Sequence, residues 1–176
     1  MKDLKIEQYA YYAGFFDGEG CVRLSKSGSG GYTLHVKFHI TYSPILYELH
    51  KIYGGTVSKC DMDKVRNQRT VVIASINKLT NPMNFKDRFS YDLTGESAYS
   101  FLVSILPYCR EKKKQVEMAI EFFEGKKRKV VGHNRTNKET KRCEYFDLKL
   151  RDLKKHDIII SQENKCNCQK SLFSYT

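Results

Sequence analysis

Nowhere does this chain hold an apolar run of about 18 residues, the length a membrane-crossing helix needs, so no membrane partner is expected. Its first residues, Met1-Lys2-Asp3-Leu4-Lys5, contain no hydrophobic signal core. The six cysteines, at 21, 60, 109, 143, 166 and 168, follow no disulfide-framework spacing. With no signal core either, they are expected to be reduced thiols in an intracellular, reducing compartment: a prokaryotic or phage-infected cytoplasm, or an organelle. Cys166 and Cys168, taken with Cys143, His133 or His156, match no common zinc pattern. Acidic residues are also short, 20 against 31 Lys and Arg, for a formal charge of +11. An excess of that size points to a polyanionic partner, most often nucleic acid. It is clustered rather than dispersed, at Lys112-Lys113-Lys114 and Lys126-Lys127-Arg128-Lys129. At 176 residues there is room for one domain with a real core.

The densest information lies in residues 12–20, Tyr-Ala-Gly-Phe-Phe-Asp-Gly-Glu-Gly. Helical spacing puts Ala10, Gly14 and Gly18 in one row, at i, i+4 and i+8, and a row of small residues lets another helix come close. Tyr9, Tyr12, Phe15 and Phe16 supply bulk on the other sides, and Gly20 is a natural stop. Glu19 then arrives at the C-terminal end of the helix, which already carries partial negative charge. Packing against a second copy would bring two Glu19 carboxylates together, a repulsion that a bound cation relieves.

Downstream, residues 21–27 alternate, with Val22 and Leu24 opposite Arg23, Ser25 and Ser27. Residues 33–42 alternate more clearly: Leu34, Val36, Phe38 and Ile40 on one face, Thr33, His35, Lys37, His39 and Thr41 on the other. Period two predicts strands with one buried face. Ser43-Pro44 starts a helix that stops at Gly54-Gly55. Further strands are expected over 56–60, 69–76 and 88–93, then helices over about 94–106, 111–124 and 137–155, with 126–137 a basic loop and 157–176 a loosely specified tail. The fold class is α+β, an antiparallel sheet covered by helices on one face. Residues 1–125 would form the core, and 126–176 a basic loop, helix and tail belonging to the same domain or extending it.

Residues 12–20 resemble the signature of the LAGLIDADG homing endonucleases, with Tyr12 in place of the usual first Leu and Glu19 in place of the usual second Asp. The resemblance implies an αββαββα core over roughly residues 4–124, with a curved sheet that binds double-stranded DNA. It also implies that Glu19, with a backbone carbonyl at about Gly18, holds a catalytic Mg²⁺ (or Mn²⁺), and that Asp17 is mainly structural. Two copies would pair over Ala10, Ala13, Gly14, Asp17 and Gly18. Residues 106–115 resemble the turn that brings a basic residue into these active sites, which aligns as Lys112 with Arg110 beside it. A lysine at a helix N-terminus opposes the helix dipole, but makes sense if a phosphate docks there. Tyr42 falls where the family has a polar residue in the water network.

On the polar face of the strands, Arg23, Ser25, Ser27, Thr33, His35, Lys37 and His39 are candidates for reading DNA. Lys51, Lys59, Arg66, Arg69 and Arg88 are candidates for phosphate contacts. Residues 119–126 echo the signature but set Lys126 where the metal-binding acid belongs, so one motif is present. A single motif implies a homodimer and a near-palindromic target. Two other functions stay open on the same fold: an intron maturase that binds intron RNA, and a DNA-binding regulator that does not cut.

Overall fold

Among the described residues the sheet has four strands, and the alternating pattern that begins at Thr33 forms one of its two inner strands. The computed structural model describes residues 4–26, 31–41, 44–60, 88–125 and 136–172, with side chains of the last stretch described as far as Lys154. In chain order the elements are α1 (Ile6–Glu19), β1 (Gly20–Lys26), β2 (Tyr32–Ile40), α2 (Pro44–Tyr53), β3 (Thr56–Cys60), β4 (Arg88–Thr94), α3 (Gly95–Ile105), a 3₁₀ turn (Leu106–Tyr108), α4 (Lys113–Glu124) and α5 (Asn137–Leu172). The sheet order is β1-β2-β4-β3, with every pair antiparallel. The strand expected over 69–76 lies outside the described residues. No helix among them is long and apolar enough to cross a membrane.

Register fixes the two faces. Val22 pairs with Val36, Leu24 with Leu34, Val36 with Leu93 and Phe38 with Tyr91, and all of these are buried under the helices. The alternate set turns outward, because side chains along a strand change face at every residue. At the centre of the core Phe16 of α1, Phe38 of β2 and Phe101 of α3 meet edge to face, with centroids 5.9–6.1 Å apart. That geometry sets the positive edge of one ring against the negative face of the next.

Three glycines repay attention. Gly54 and Gly55 end α2 at φ +74° and +83°, and a Cβ on Gly55 would lie 2.7 Å from the carbonyl oxygen of Asp92. The buried Tyr91 hydroxyl donates to the Gly54 carbonyl at 2.7 Å, tying this turn to the core. Gly20 is not the left-handed cap that a terminal glycine suggests. It is extended, at φ −79° and ψ 151°, and its role is close packing: a Cβ there would collide with the Phe16 ring.

The C-terminal helix is longer than its charge pattern suggests. It runs unbroken through Leu172, beyond the end expected near residue 155, and contains no proline or glycine to stop it. Thr136 and Glu139 form a reciprocal capping box at its start. Cys143, Phe146 and Leu150 bury one stripe, and Arg142 donates to the terminal carbonyls of Glu121 and Phe122 on α4. Cys143 is thus an apolar packing residue. We predict that Gly20→Ala lowers stability by about 1–3 kcal/mol, the usual cost of overpacking, read from urea midpoints.

Candidate active site and nucleic-acid interface

Two helix ends of opposite polarity meet beneath the sheet. Asp17, near the end of α1, accepts hydrogen bonds from the backbone N–H groups of Arg110 (2.8 Å), Glu111 (3.3 Å) and Lys112 (3.0 Å). These are the donors just ahead of α4, the positive end of that helix. Lys112 returns the contact: its ammonium donates to the carbonyls of Gly20 at 2.8 Å and Phe16 at 3.2 Å, the negative end of α1, and lies 5.7 Å from the centre of the Phe16 ring. A lysine opposes its own helix dipole only while its charge stays at that N-terminus. Here the charge crosses to the neighbouring helix, where it is favourable, so no phosphate is needed to account for it.

Glu19, the last residue of α1, is exposed and has no partner among the described residues. The Gly18 carbonyl belongs to the same final turn, whose carbonyls lack helical partners. Carboxylate and carbonyl oxygens are the donors that suit Mg²⁺. Among the described residues no three His, Cys, Asp or Glu side chains gather to hold a metal within one chain. The donor set fits such an ion in kind, since Mg²⁺ is commonly held by one or two carboxylates with waters and substrate phosphates filling its other positions.

Ala10, Gly14 and Gly18 form an exposed row, and nothing among the described residues lies within 4 Å of a Cβ built on either glycine. Ala13 is a correction to the expected pairing surface: it is fully buried inside the chain, one helical position off that row. Asp17 is likewise committed within its own chain. Cys109, packed beside this junction, has its thiol pushed up to about 12, by burial and then by the Asp17 carboxylate, against a smaller opposing effect of Lys112.

On the outer face of the sheet, register aligns Arg23 with His35, Ser25 with Thr33, and Lys37 with Asp92. His39 stands opposite Ser90, and Arg88 is exposed at the start of β4. Lys59 is a second correction. It pairs with Phe89 and shares the face of Val57 and Tyr91, so it projects from the helix side of the edge strand. Lys51 is on α2, also among the helices. Ser27, Tyr42, Arg66 and Arg69 lie outside the described residues.

Asp92 is the residue that the sequence reading missed. Its carboxylate accepts from Lys37 Nζ at 2.7 Å and His35 Nδ1 at 3.1 Å, three half-buried side chains in the middle of the basic face. Because a carboxylate only accepts, Nδ1 carries the proton of that bond. Burial alone would raise the Asp92 carboxyl, but the hydrogen bonds and charges of Lys37 and His35 together hold it below the usual carboxylate range. The alternation Arg88, Ser90, Asp92, Thr94 against Phe89, Tyr91, Leu93 places it on the outer face. Only the register shows its partners.

A family model described as LAGLIDADG endonuclease matches residues 12–101, just over half of the chain. The chain belongs to the LAGLIDADG endonuclease family. Among solved structures, the archaeal intron-encoded homing endonuclease I-Vdi141I, complexed with DNA, is 15% identical with a TM-score of 0.56 over 84% of each chain. The homing endonuclease I-TnaI is 17% identical at 0.50, over 88% of this chain and 99% of that one. The homing endonuclease I-CvuI, in complex with a DNA target, is 17% identical at 0.48, over 84% and 94%. At these identities the likeness to I-Vdi141I and I-TnaI shows the fold. No curated protein matches the chain.

Two predictions follow from this geometry. Breaking the junction with Asp17→Ala removes charge-assisted bonds worth about 1.5–3 kcal/mol, seen as a lower thermal midpoint. For Asp92 the folded carboxyl is the more acidic state. Its contribution is therefore full above the unfolded value of about 3.9 and is lost as pH falls through the folded one. Urea midpoints compared at pH 5 and pH 3 should show wild type losing more stability on acidification than Asp92→Asn.

Proposed function

We propose that the protein is a site-specific DNA endonuclease that acts as a homodimer and makes a double-strand break, with Mg²⁺ (or Mn²⁺), in a long, near-palindromic duplex. The observation that carries this reading is the end of α1: a row of small residues facing outward, and Glu19 exposed just beyond it. Glycine inside a helix costs roughly 0.8–1 kcal/mol relative to alanine. Neither Gly14 nor Gly18 has an intrachain neighbour, among the described residues, that requires it. Close approach of a second α1 supplies the reason, and it sets two Glu19 carboxylates side by side.

Glu19 and the Gly18 carbonyl would hold the ion, one set from each chain. When bound, the ion supplies Lewis-acid assistance to phosphodiester hydrolysis. The chain's own groups do the positioning. Lys112 stands beside the Gly20 carbonyl, one residue from Glu19, where a positive charge stabilises negative charge developing on a phosphate. Arg110, exposed in the same turn, adds a second cation. Tyr42, outside the described residues, is assigned a hydrogen-bonding role in the reaction. Above them the outer face offers Arg23, Ser25, Thr33, His35, Lys37 and His39 to the major groove, which admits a β-ribbon.

The test begins with DNA spanning the gene's own insertion site. Wild type should cut it in Mg²⁺, and Glu19→Gln should lose cleavage by roughly 10²–10³-fold or more while still shifting the duplex in a gel. Tight binding with no cleavage by wild type would favour a regulator, and promotion of host-intron splicing without cutting would favour a maturase. A second prediction concerns assembly. Gly14→Leu should reduce dimers to monomers by sedimentation equilibrium, without lowering the stability of the single chain. Unchanged dimerisation in that variant would refute the α1 pair.

A further inference from the structure

Asp92 is a carboxylate in the middle of a face that otherwise presents cations to DNA. On a phosphate-binding surface it would be a liability, since it repels the backbone and occupies two of the positive groups. It sits on β4, an inner strand of the sheet, with β2 on one side and β3 on the other. Rim positions on a β-ribbon meet phosphates, whereas central positions meet base edges on the groove floor. A carboxylate can only accept hydrogen bonds, and the major groove offers it amino donors on cytosine N4 and adenine N6 alone.

What stands beside Asp92 selects between those two bases. Lys37 Nζ lies 2.7 Å from Oδ2, so donor and acceptor are held side by side at hydrogen-bond spacing. In a G·C pair the guanine O6 acceptor and the cytosine N4 donor are themselves joined by a hydrogen bond, about 2.9 Å apart. The two pairs match in sense and in spacing, as the thymine O4 acceptor and adenine N6 donor of an A·T pair also would. The choice rests on the acceptor side. Guanine offers Lys37 two adjacent acceptors, O6 and N7, where thymine offers O4 alone beside its methyl group. Asp92 has a free lone pair on each oxygen for cytosine N4. His35 donates to Oδ1 from the other side and keeps the carboxylate from turning away.

We infer that Asp92 and Lys37 form a reader of one G·C pair in each half of the DNA target, with Asp92 accepting from cytosine N4 and Lys37 donating to guanine. This rests on the endonuclease reading above and deepens it. Asp92 has two further effects: it keeps Lys37 over the base edges instead of a phosphate, and it lowers affinity for DNA of the wrong sequence.

The experiment is selection from a pool of duplex DNA with a randomised central segment, run in parallel with wild type, Asp92→Asn and Lys37→Gln, each checked for its fold by circular dichroism. Wild type should enrich a consensus in which one position per half-site is G·C, favoured over A·T by roughly 5- to 150-fold, the range for one good base contact. Asp92→Asn should lose preference at that position to within about two- to threefold and keep the others. The released Lys37 should also strengthen binding to random DNA and steepen its salt dependence by about one counterion. Lys37→Gln should lose the same position without the steeper salt dependence. Identical consensus sequences from wild type and Asp92→Asn would overturn the inference, as would loss at two different positions or a wild-type preference there for A·T. Should either variant fail to fold, the wild-type consensus still decides, because a half-site without any strongly required G·C pair contradicts it. Wild type enriching no sequence at all would instead sink the endonuclease reading itself.

Discussion

The structure depends on an exchange of charge between two helix ends. Asp17 covers the free N–H groups at the start of α4, and Lys112, from that start, covers the free carbonyls at the end of α1. Each charge sits against the pole that favours it. Neither half works well without the other: a carboxylate on the last turn of a helix and a lysine ahead of the first turn of one are each unfavourable until the two ends meet. The exchange ties the end of α1, and with it Glu19, to the start of α4. It leaves Phe16 pressed against Gly20 and locked among Phe38 and Phe101.

Consequences run outward from that junction. With Tyr12, Ala13 and Phe16 committed to the core, the opposite side of α1 carries Ala10, Gly14 and Gly18 to the surface. The polypeptide passes directly from Glu19 into β1, so the same helix end that carries the acidic residue also begins the sheet. The proposed site at the end of α1 and the proposed reading surface on the outer face are thus joined by one continuous piece of chain. In the proposed reading, Asp92 refines that surface by holding Lys37 and His35 in a fixed pattern of donors and acceptors.

Much of this was legible in the sequence, for reasons that differ by element. Strand β2 announced itself because Leu34, Val36 and Phe38 alternate without exception and one face is buried. Both the end of α2 and the start of α3 carry local signals, Gly54-Gly55 and Thr94-Gly95, that need no tertiary context. Ala13 was assigned to the wrong side because the signature is contiguous while a helix turns 100° per residue, so neighbours in the motif do not share a face. Lys59 is similar: its charge suggests a phosphate contact, whereas its parity with Val57 puts it on the helix side of β3. What local pattern could not reveal were the partners of Lys112 and Asp92. Those contacts join residues dozens of positions apart, and only the register and the helix packing bring them together.

In the proposed endonuclease Glu19 is the acid of the site, and each of two chains must supply one. Mixing wild type with Glu19→Gln at fixed total protein tests both at once, with linearisation of a supercoiled plasmid carrying the target as the readout. If the working unit is a freely exchanging pair with one Glu19 from each chain, double-strand cleavage should fall as the square of the wild-type fraction. A fall in direct proportion to that fraction would mean that single chains cut unaided, and would contradict the account.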